Sequence, residues 1–157
     1  MHNKNNDNER CSETGRFKKN SIKFKLLSTL AKKPIKTSEE AAGYDMYAAQ
    51  VIDNGDTITY KTDVAIELLP GYAGFLMPRS SVVKTGMCLG NSVGLLDSDF
   101  RGNVSFVFYK RPECKPYEVG DRVGQLVIIK LPETVLEESS ELSTTERGDK
   151  GFGSSGR

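Results

Sequence analysis

The sequence predicts an all-β fold with one short helix. Apolar and polar residues alternate with a period of two at 22–26 and at 104–109, as in strands with one buried face. Glycines and prolines separate further strands, predicted at 56–61, 63–69, 72–77, 93–97 and 122–131. Helical signal is confined to a short turn after Pro78, where Ser80 or Ser81 is expected to cap the helix. This pattern predicts an antiparallel barrel or sandwich.

The chain of 157 residues is long enough for one domain with a hydrophobic core. Residues 1–20 are rich in Asn, Lys and Glu and are predicted to form a disordered tail. Residues 21–132 are predicted to form the β domain. From 133 the chain becomes acidic and then rich in Gly and Ser, which predicts a flexible carboxyl-terminal arm over 133–157.

The composition of the chain excludes several classes of function. With 22 basic and 21 acidic residues, no strong field draws the protein to nucleic acid or an anionic membrane. Three cysteines without a CxxC spacing argue against a disulfide framework and a structural zinc site. Neither a signal peptide nor a long apolar run is found, so an intracellular, cytoplasmic protein is expected, or a nuclear one if the source is eukaryotic or viral. The only histidine, His2, lies in the predicted amino-terminal tail. A Ser-His-Asp or Cys-His mechanism therefore has no histidine to act as the base.

Five segments place charged or hydroxyl residues beside glycines, where a backbone can approach a ligand closely. In chain order they are AGYDMY at 42–47, PRSS at 78–81, GNSVGLLDSDFRG at 90–102, GDRVGQL at 120–126 and RGDKGFGSSG at 147–156. Together they resemble the five ordered motifs of the trimeric dUTP diphosphatase (dUTPase) family, over a match that runs from about Ser21 to the carboxyl terminus. One such motif would be weak evidence for the family, whereas five motifs in the same order are specific to it.

The resemblance implies a jelly-roll-like β-barrel of the dUTPase type and a homotrimer with three active sites at subunit interfaces. It implies hydrolysis of dUTP to dUMP and diphosphate, which limits uracil in DNA and supplies dUMP for thymidylate synthesis. It also implies Mg²⁺, which binds phosphate oxygens, keeps several waters and needs few protein ligands. In such a trimer, the carboxyl-terminal arm of one subunit closes a site formed by the others.

Phosphate binding is expected at Arg79, Ser80 and Ser81, which combine a guanidinium fork, hydroxyls and backbone amides. Read without the resemblance, these residues fit a helix cap with a surface arginine. The resemblance places Ser80 near the bridging oxygen of the leaving group and Gln125 near the phosphates. It gives Asp45 an indirect role in supporting the metal, through arginine contacts and metal-bound waters. Asp121 and Arg122 are expected to form a structural pair in their turn.

Catalysis is assigned to Asp97 by the resemblance, as the group that orients and deprotonates the water attacking the α-phosphorus. Read alone, Asp97 fits a turn aspartate, a description that suits Asp99 better. The third segment is expected to be a strand hairpin whose polar groups read the uracil edge. The uracil-reading residues are Asn91, Gly94, Leu95 and Leu96.

Two positions depart from the family pattern. Phe100 stands where the family usually has Tyr; its ring keeps the apolar platform under deoxyribose but lacks the phenol. Lys150 replaces a common glycine: closure is strained if that position needs a positive φ, and otherwise Lys150 can add a phosphate contact. In the arm, Phe152 is expected to stack on uracil and Arg147 to reach the γ-phosphate, with Gly153 and Ser154 beside the ligand.

Two other functions compete. A dCTP deaminase shares the fold, but its chemistry needs a glutamate on the strand after the third motif, where Val107 stands. A nucleotide-sensing or protein-interacting trimer that retained the fold would not need the water-activating carboxylate of Asp97.

Overall fold

The computed structural model describes residues 21–151 and folds them into short antiparallel strands and one 3-10 helix. The strands are β1 (Lys23–Leu26), β2 (Tyr44–Tyr47), β3 (Gln50–Asp53), β4 (Thr57–Lys61), β5 (Val64–Glu67), β6 (Tyr72–Met77), β7 (Met87–Leu89), β8 (Gly94–Leu96), β9 (Ser105–Lys110) and β10 (Arg122–Lys130). The 3-10 helix spans Ser80–Lys84, between β6 and β7.

Two four-stranded sheets enclose the core, with strand orders β2-β10-β6-β8 and β3-β4-β9-β7, and β1 pairs with β5 in a separate ribbon. The alternation of side chains along β9 explains which of them face the core. Phe106 and Phe108 are buried, while Val107 and Tyr109 are exposed. Tyr60 of β4 packs edge-on against Phe108, with ring centroids 5.8 Å apart. The all-β, jelly-roll-like prediction is therefore confirmed.

Some local predictions need correction. Three short strands were not predicted, namely β2, β3 and β7, because three or four residues carry too little alternation to be recognised. β1 was predicted correctly, yet its apolar residues Phe24 and Leu26 stay exposed within this chain. The 3-10 helix begins at Ser80, so both serines lie within the helix and neither caps it. Arg79 occupies the N-cap position and makes no side-chain capping bond.

Beyond β10 the described chain forms neither strand nor helix, and residues 131–150 are exposed. The predicted arm starts in this stretch; the predicted tail at 1–20 lies outside the described residues, and so does the end of the arm. Cys88 and Cys114 are free thiols. No helix within residues 21–151 is long and apolar enough to cross a membrane.

Candidate active site

Two arginines converge on one buried carboxylate at an end of the first sheet. β10 pairs with both β2 and β6, which places Gln125 opposite Asp45 on one side and Met77 on the other. Arg79, two residues past Met77, contacts Asp45 Oδ1 through Nε at 3.3 Å. Arg122 contacts Asp45 Oδ2 at 3.1 Å. We call Asp45, Arg79 and Arg122 the arginine cluster.

The arginine cluster carries a surplus positive charge, because two guanidinium groups share one carboxylate. Burial of Asp45 strengthens its ion pairs, because it removes competing water. The side chain of Arg122 is 41% exposed and so is open to solvent. Ser80 and Ser81 follow Arg79 directly, and the side chain of Gln125 lies against Gly43, where a Cβ would meet Gln125 Oε1 at 3.0 Å. The arrangement suits an anion with several oxygens.

A second feature is a cavity of about 240 Å³ beside β8, which we call the β8 cavity. Its lining comprises Leu76, Asn91, Gly94, Leu95, Leu96, Asp97, Phe100, Asn103, Val104 and Ser105. The lining thus combines apolar surface with a few polar groups, as small-molecule sites do. Among the described residues that line the cavity, Asp97 is the only one with a carboxylate, and it is exposed.

The segment that carries Asp97 is a crossing between sheets and not the predicted hairpin. β7 pairs with β9 in one sheet, whereas β8 pairs with β6 in the other. The hairpin prediction was wrong because glycines at both ends suggested a local return of the chain. The crossing opens the β8 cavity between the edges of the two sheets.

The turn after Asp97 is closed by hydrogen bonds. The backbone N–H of Phe100 donates to the carbonyl of Asp97 at 3.2 Å. Arg101 donates through one guanidinium nitrogen to the carbonyls of Ser98 at 2.7 Å and Phe100 at 2.9 Å. The ring of Phe100 lies on Gly102, where a Cβ would come within 2.5 Å of the ring. Glycine is therefore required at 102 for the ring to lie there.

Asp97 and the arginine cluster lie apart in the first sheet. Leu96 pairs with Gly74, so Asp97 follows at the level of Ala73, whereas Arg79 lies two residues past Met77, roughly 10 Å or more away along β6. The guanidinium of Arg79 also reaches towards β2, whereas β8 is on the opposite side of β6 in the sheet. Each chain therefore presents two separate half-sites.

Comparison with known proteins identifies the family. The family model for dUTPase matches residues 30–156. The chain belongs to the dUTPase family. It is similar to the deoxyuridine 5'-triphosphate nucleotidohydrolase of Rabbitpox virus (strain Utrecht), with 35% identity over 86% of this chain and 92% of the relative. The Monkeypox virus protein of the same name is 34% identical over 86% of this chain and 90% of its own length.

Solved structures agree with this assignment. The dUTPase of Staphylococcus bacteriophage 80alpha, solved with dUpNHpp, superposes with a TM-score of 0.77 at 29% identity, over 88% of this chain and 100% of the phage chain. A variant of the same phage enzyme gives 30% identity with the same TM-score and coverage. The fold of residues 21–151 is therefore the one that the resemblance implied.

The structure sorts the predicted residues into two groups. Asp45, Arg79 and Gln125 lie together near Met77 with Ser80 and Ser81 following Arg79, and the residues predicted to read uracil line the β8 cavity with Asp97 and Phe100. Val107 is exposed and is not among the residues that line the cavity. Arg147 donates to the carbonyl of Lys150 at 2.8 Å in the arm. Phe152, Gly153 and Ser154 lie outside the described residues.

Lys150 and the predicted pair of Asp121 and Arg122 lie within the described residues. The φ of Lys150 is not positive, so the residue is unstrained in this conformation. Asp121 and Arg122 do not act as a pair: Asp121 accepts a hydrogen bond from the backbone of Glu118 at 2.8 Å, while Arg122 contacts Asp45. Sequence reasoning thus assigned Arg122 to the turn when it belongs to the arginine cluster. Its position one residue after a turn aspartate gave no signal of this.

Tyr117 is another residue that the motifs did not indicate. Its ring packs edge-on against Tyr60 at 5.7 Å and Phe108 at 6.1 Å. Burial raises the pKa of Tyr117, and interactions with Ser81 and Arg79 oppose that increase. The ring of Tyr117 is thus part of the aromatic core.

Asn103 is a third residue without a predicted role. It lines the β8 cavity and is paired with the buried Asp63: its Nδ2 donates to Asp63 Oδ1 at 2.6 Å, and its Oδ1 accepts from the backbone N–H of Asp63 at 2.9 Å. Burial alone would raise the pKa of Asp63. Hydrogen bonds from Gln50, Ser28 and Asn103, with the charge of Lys61, outweigh burial and lower it.

This lowered pKa predicts how stability depends on pH. A carboxyl group whose folded-state pKa is below its unfolded value of 3.8 stabilises the fold above that pH and loses the contribution as pH falls through the folded pKa. Asp63→Asn should therefore lower the free energy of unfolding by about 1–3 kcal/mol at neutral pH. The difference from the unsubstituted chain should shrink below pH 3.8, as measured by urea unfolding at several pH values. A difference that stays constant with pH would contradict the prediction.

Proposed function

We propose that the chain is a dUTP diphosphatase that hydrolyses dUTP to dUMP and diphosphate at sites shared between identical chains. The β8 cavity of one chain binds the deoxyuridine, and the arginine cluster of a neighbouring chain binds the phosphates with Ser80, Ser81 and Gln125. The arm of a further chain closes the site. One observation carries this proposal: each chain has both half-sites, but Asp97 follows β8 at one edge of the first sheet whereas the arginine cluster includes Asp45 of β2 at the other edge, so we assign the two halves of one site to different chains.

The nucleoside end follows from the lining of the cavity. Asn91 and the backbone of Gly94, Leu95 and Leu96 present donors and acceptors to the uracil edge. Cytosine would leave buried groups unpaired, at about 1–3 kcal/mol each. The exposed face of the Phe100 ring is an apolar platform for deoxyribose, and the ring itself offers a 2′-hydroxyl no hydrogen-bonding partner.

The reaction at the phosphate end needs one base. Asp97 accepts a proton from a water molecule as the water oxygen bonds to the α-phosphorus. The bond between that phosphorus and the bridging oxygen breaks, and diphosphate leaves with the electron pair. Asp97 is suited to this role because it is the only carboxylate lining the cavity and is open to water.

Mg²⁺ is proposed to arrive with the triphosphate. No cluster of three or more acidic, His or Cys side chains occurs within residues 21–151, and both oxygens of Asp45 contact arginines. The residues therefore suit a metal bound mainly by phosphate oxygens and water, with Asp45 supporting it indirectly. When bound, the metal would neutralise charge on the phosphate oxygens.

Self-association is supported by apolar surface that one chain leaves uncovered. Phe24 and Leu26 on β1 are exposed, as are Val135, Leu136 and Leu142 in the arm. Apolar side chains grouped in this way are typical of surfaces buried by a partner. We propose a homotrimer, located inside the cell where its substrate is made.

Mixing two inactive chains tests the shared site. Asp97→Asn chains and Arg79→Ala chains should each be inactive, whereas refolding them together in equal amounts should recover about one quarter of the unsubstituted turnover of dUTP. Each site takes one half-site from each of two neighbours, so about a quarter of randomly assembled sites combine two intact halves. Diphosphate release measures the recovery.

The matched control mixes Asp97→Asn chains with chains that carry both substitutions. No chain then supplies Asp97, and no activity should return. Recovery in the first mixture is impossible if each chain builds its own site, because neither variant contains both intact residues. Absence of recovery from mixed trimers of confirmed composition would therefore reject the shared site.

A further inference from the structure

Asp63 makes an unusual set of contacts behind the β8 cavity. Its side chain is buried, with 3% of the residue exposed, and no cation contacts its carboxylate within the described residues. Gln50 Nε2 lies 2.9 Å from each carboxylate oxygen, and Asn103 Nδ2 lies 2.6 Å from Oδ1. Hydrogen bonds from neutral donors, with the charge of Lys61, hold this buried carboxylate in its ionised form. A role in fixing its partners would explain its place.

The contacts fix the orientation of Asn103. The amide nitrogen donates to the carboxylate, while the amide oxygen accepts from the backbone N–H of Asp63 at 2.9 Å. These two bonds form a closed pair, and turning the amide over would break both. The backbone of Asp63 has a φ of 51°, a left-handed conformation that Asp tolerates better than most residues. Both the backbone and the side chain of Asp63 are thus directed at Asn103.

Neighbouring residues extend the attachment. Val104 O accepts from the backbone N–H of Thr62 at 3.0 Å and from its hydroxyl at 2.7 Å, and the backbone N–H of Val104 donates to Val64 at 2.9 Å. The chain on both sides of Asp63 is therefore bonded to the cavity wall formed by Asn103 and Val104. Movement of this wall requires several hydrogen bonds to break together.

Gly102 links the wall to the ring of Phe100. Gly102 precedes Asn103 directly, and the ring lies so close to it that no side chain would fit between them. The remaining face of the ring is open, with 42% of Phe100 exposed. A shift of Asn103 therefore moves the surface on which the ring rests.

We propose that Asp63 is a positioning residue that acts through Asn103 and Gly102 to fix the Phe100 ring, and so sets the preference of the enzyme for deoxyribose over ribose. The inference rests on the proposed function, in which the β8 cavity binds the nucleoside. Asp63 itself does not line the cavity. Its effect is on the geometry of the residue that meets the sugar.

A reciprocal exchange of the two side chains tests the inference. Asp63→Asn should leave two side-chain amides facing each other in place of an amide and a carboxylate. Asn103→Asp should leave two carboxylates facing each other. Each should lower the ratio of kcat/KM for dUTP to that for UTP by about tenfold, mainly by raising the KM for dUTP. The double variant restores one donor facing one acceptor, so the ratio should return to within about threefold of the original.

The matched control is Asp53→Asn, which changes an exposed carboxylate on β3 that is ion-paired with Lys110 and lies outside the cavity lining. It should leave the ratio unchanged. Loss of folded protein would reduce the rates for both substrates equally and would not change the ratio. A variant that loses stability without a change in the ratio would show that Asp63 is only structural and would overturn the inference.

Phe100→Ala separates failure of this inference from failure of the proposed site. If Phe100→Ala lowers the ratio while the Asp63 and Asn103 variants do not, the cavity assignment stands and the positioning role is wrong. If Phe100→Ala also leaves the ratio unchanged, the sugar does not meet this ring, and both are wrong. Should either single variant fail to fold, Gln50→Ala replaces it, because it removes two contacts to Asp63 from the surface side. A smaller decrease in the ratio supports the inference, and no decrease overturns it.

Discussion

Asp97→Asn is expected to lower kcat for dUTP by about 10²–10⁴-fold, the usual contribution of a general base. Asparagine keeps the size and hydrogen-bonding reach of the side chain but cannot accept the proton of the attacking water. The β8 cavity and its closed turn are unchanged by this substitution, so binding of a non-hydrolysable dUTP analogue should weaken by less than about threefold. Steady-state diphosphate release and calorimetric binding measure the two quantities.

Asp99→Asn is the matched control. Asp99 lies two residues further along the same turn, is also exposed, and does not line the cavity. Its substitution should leave kcat within about twofold, because surface changes away from a site have small effects. Equal losses in both variants would mean that the charge of the turn matters and that Asp97 is not the base. Full activity of Asp97→Asn would reject the proposed mechanism, and ammonia release from dCTP would indicate the deaminase.

Deletion of residues 147–157 is expected to reduce kcat/KM for dUTP by on the order of 10²-fold or more. The deletion removes a base-stacking contact proposed for Phe152, worth about 1–3 kcal/mol, and a charged phosphate contact proposed for Arg147, worth about 1.5–3 kcal/mol. Such a loss corresponds to two or more factors of ten, at about 1.4 kcal/mol each. Turnover measured at several dUTP concentrations gives the change.

The β domain should stay folded after this deletion, because the described part of the deleted segment makes hydrogen bonds only within its own turn, such as Arg147 to Lys150. Urea unfolding should therefore give the same midpoint for both proteins. Asp149→Ala, within the same segment, serves as the control and should retain activity. A truncated protein with unchanged kcat/KM would show that the arm does not close the site.

Much of the fold was predictable because it depends on local alternation. Phe106 and Phe108 point inward and Val107 outward, as the pattern on β9 required. The short strands β2, β3 and β7 escaped prediction because three or four residues form a strand only when a neighbour supplies hydrogen bonds. The segment around Asp97 was mistaken for a hairpin because the sequence shows where the chain turns but not which strand it meets next.

The sequence by itself determined the fold class, the five motifs and the residue types available for chemistry, since these depend on side-chain character and order along the chain. Only the tertiary structure placed Arg122 on Asp45, set Asn103 against Asp63, and separated Asp97 from Arg79 along β6. Those facts depend on strand register and sheet order, which join residues 40 to 77 positions apart. No local pattern encodes such pairings, because they are selected by the packing of the whole domain.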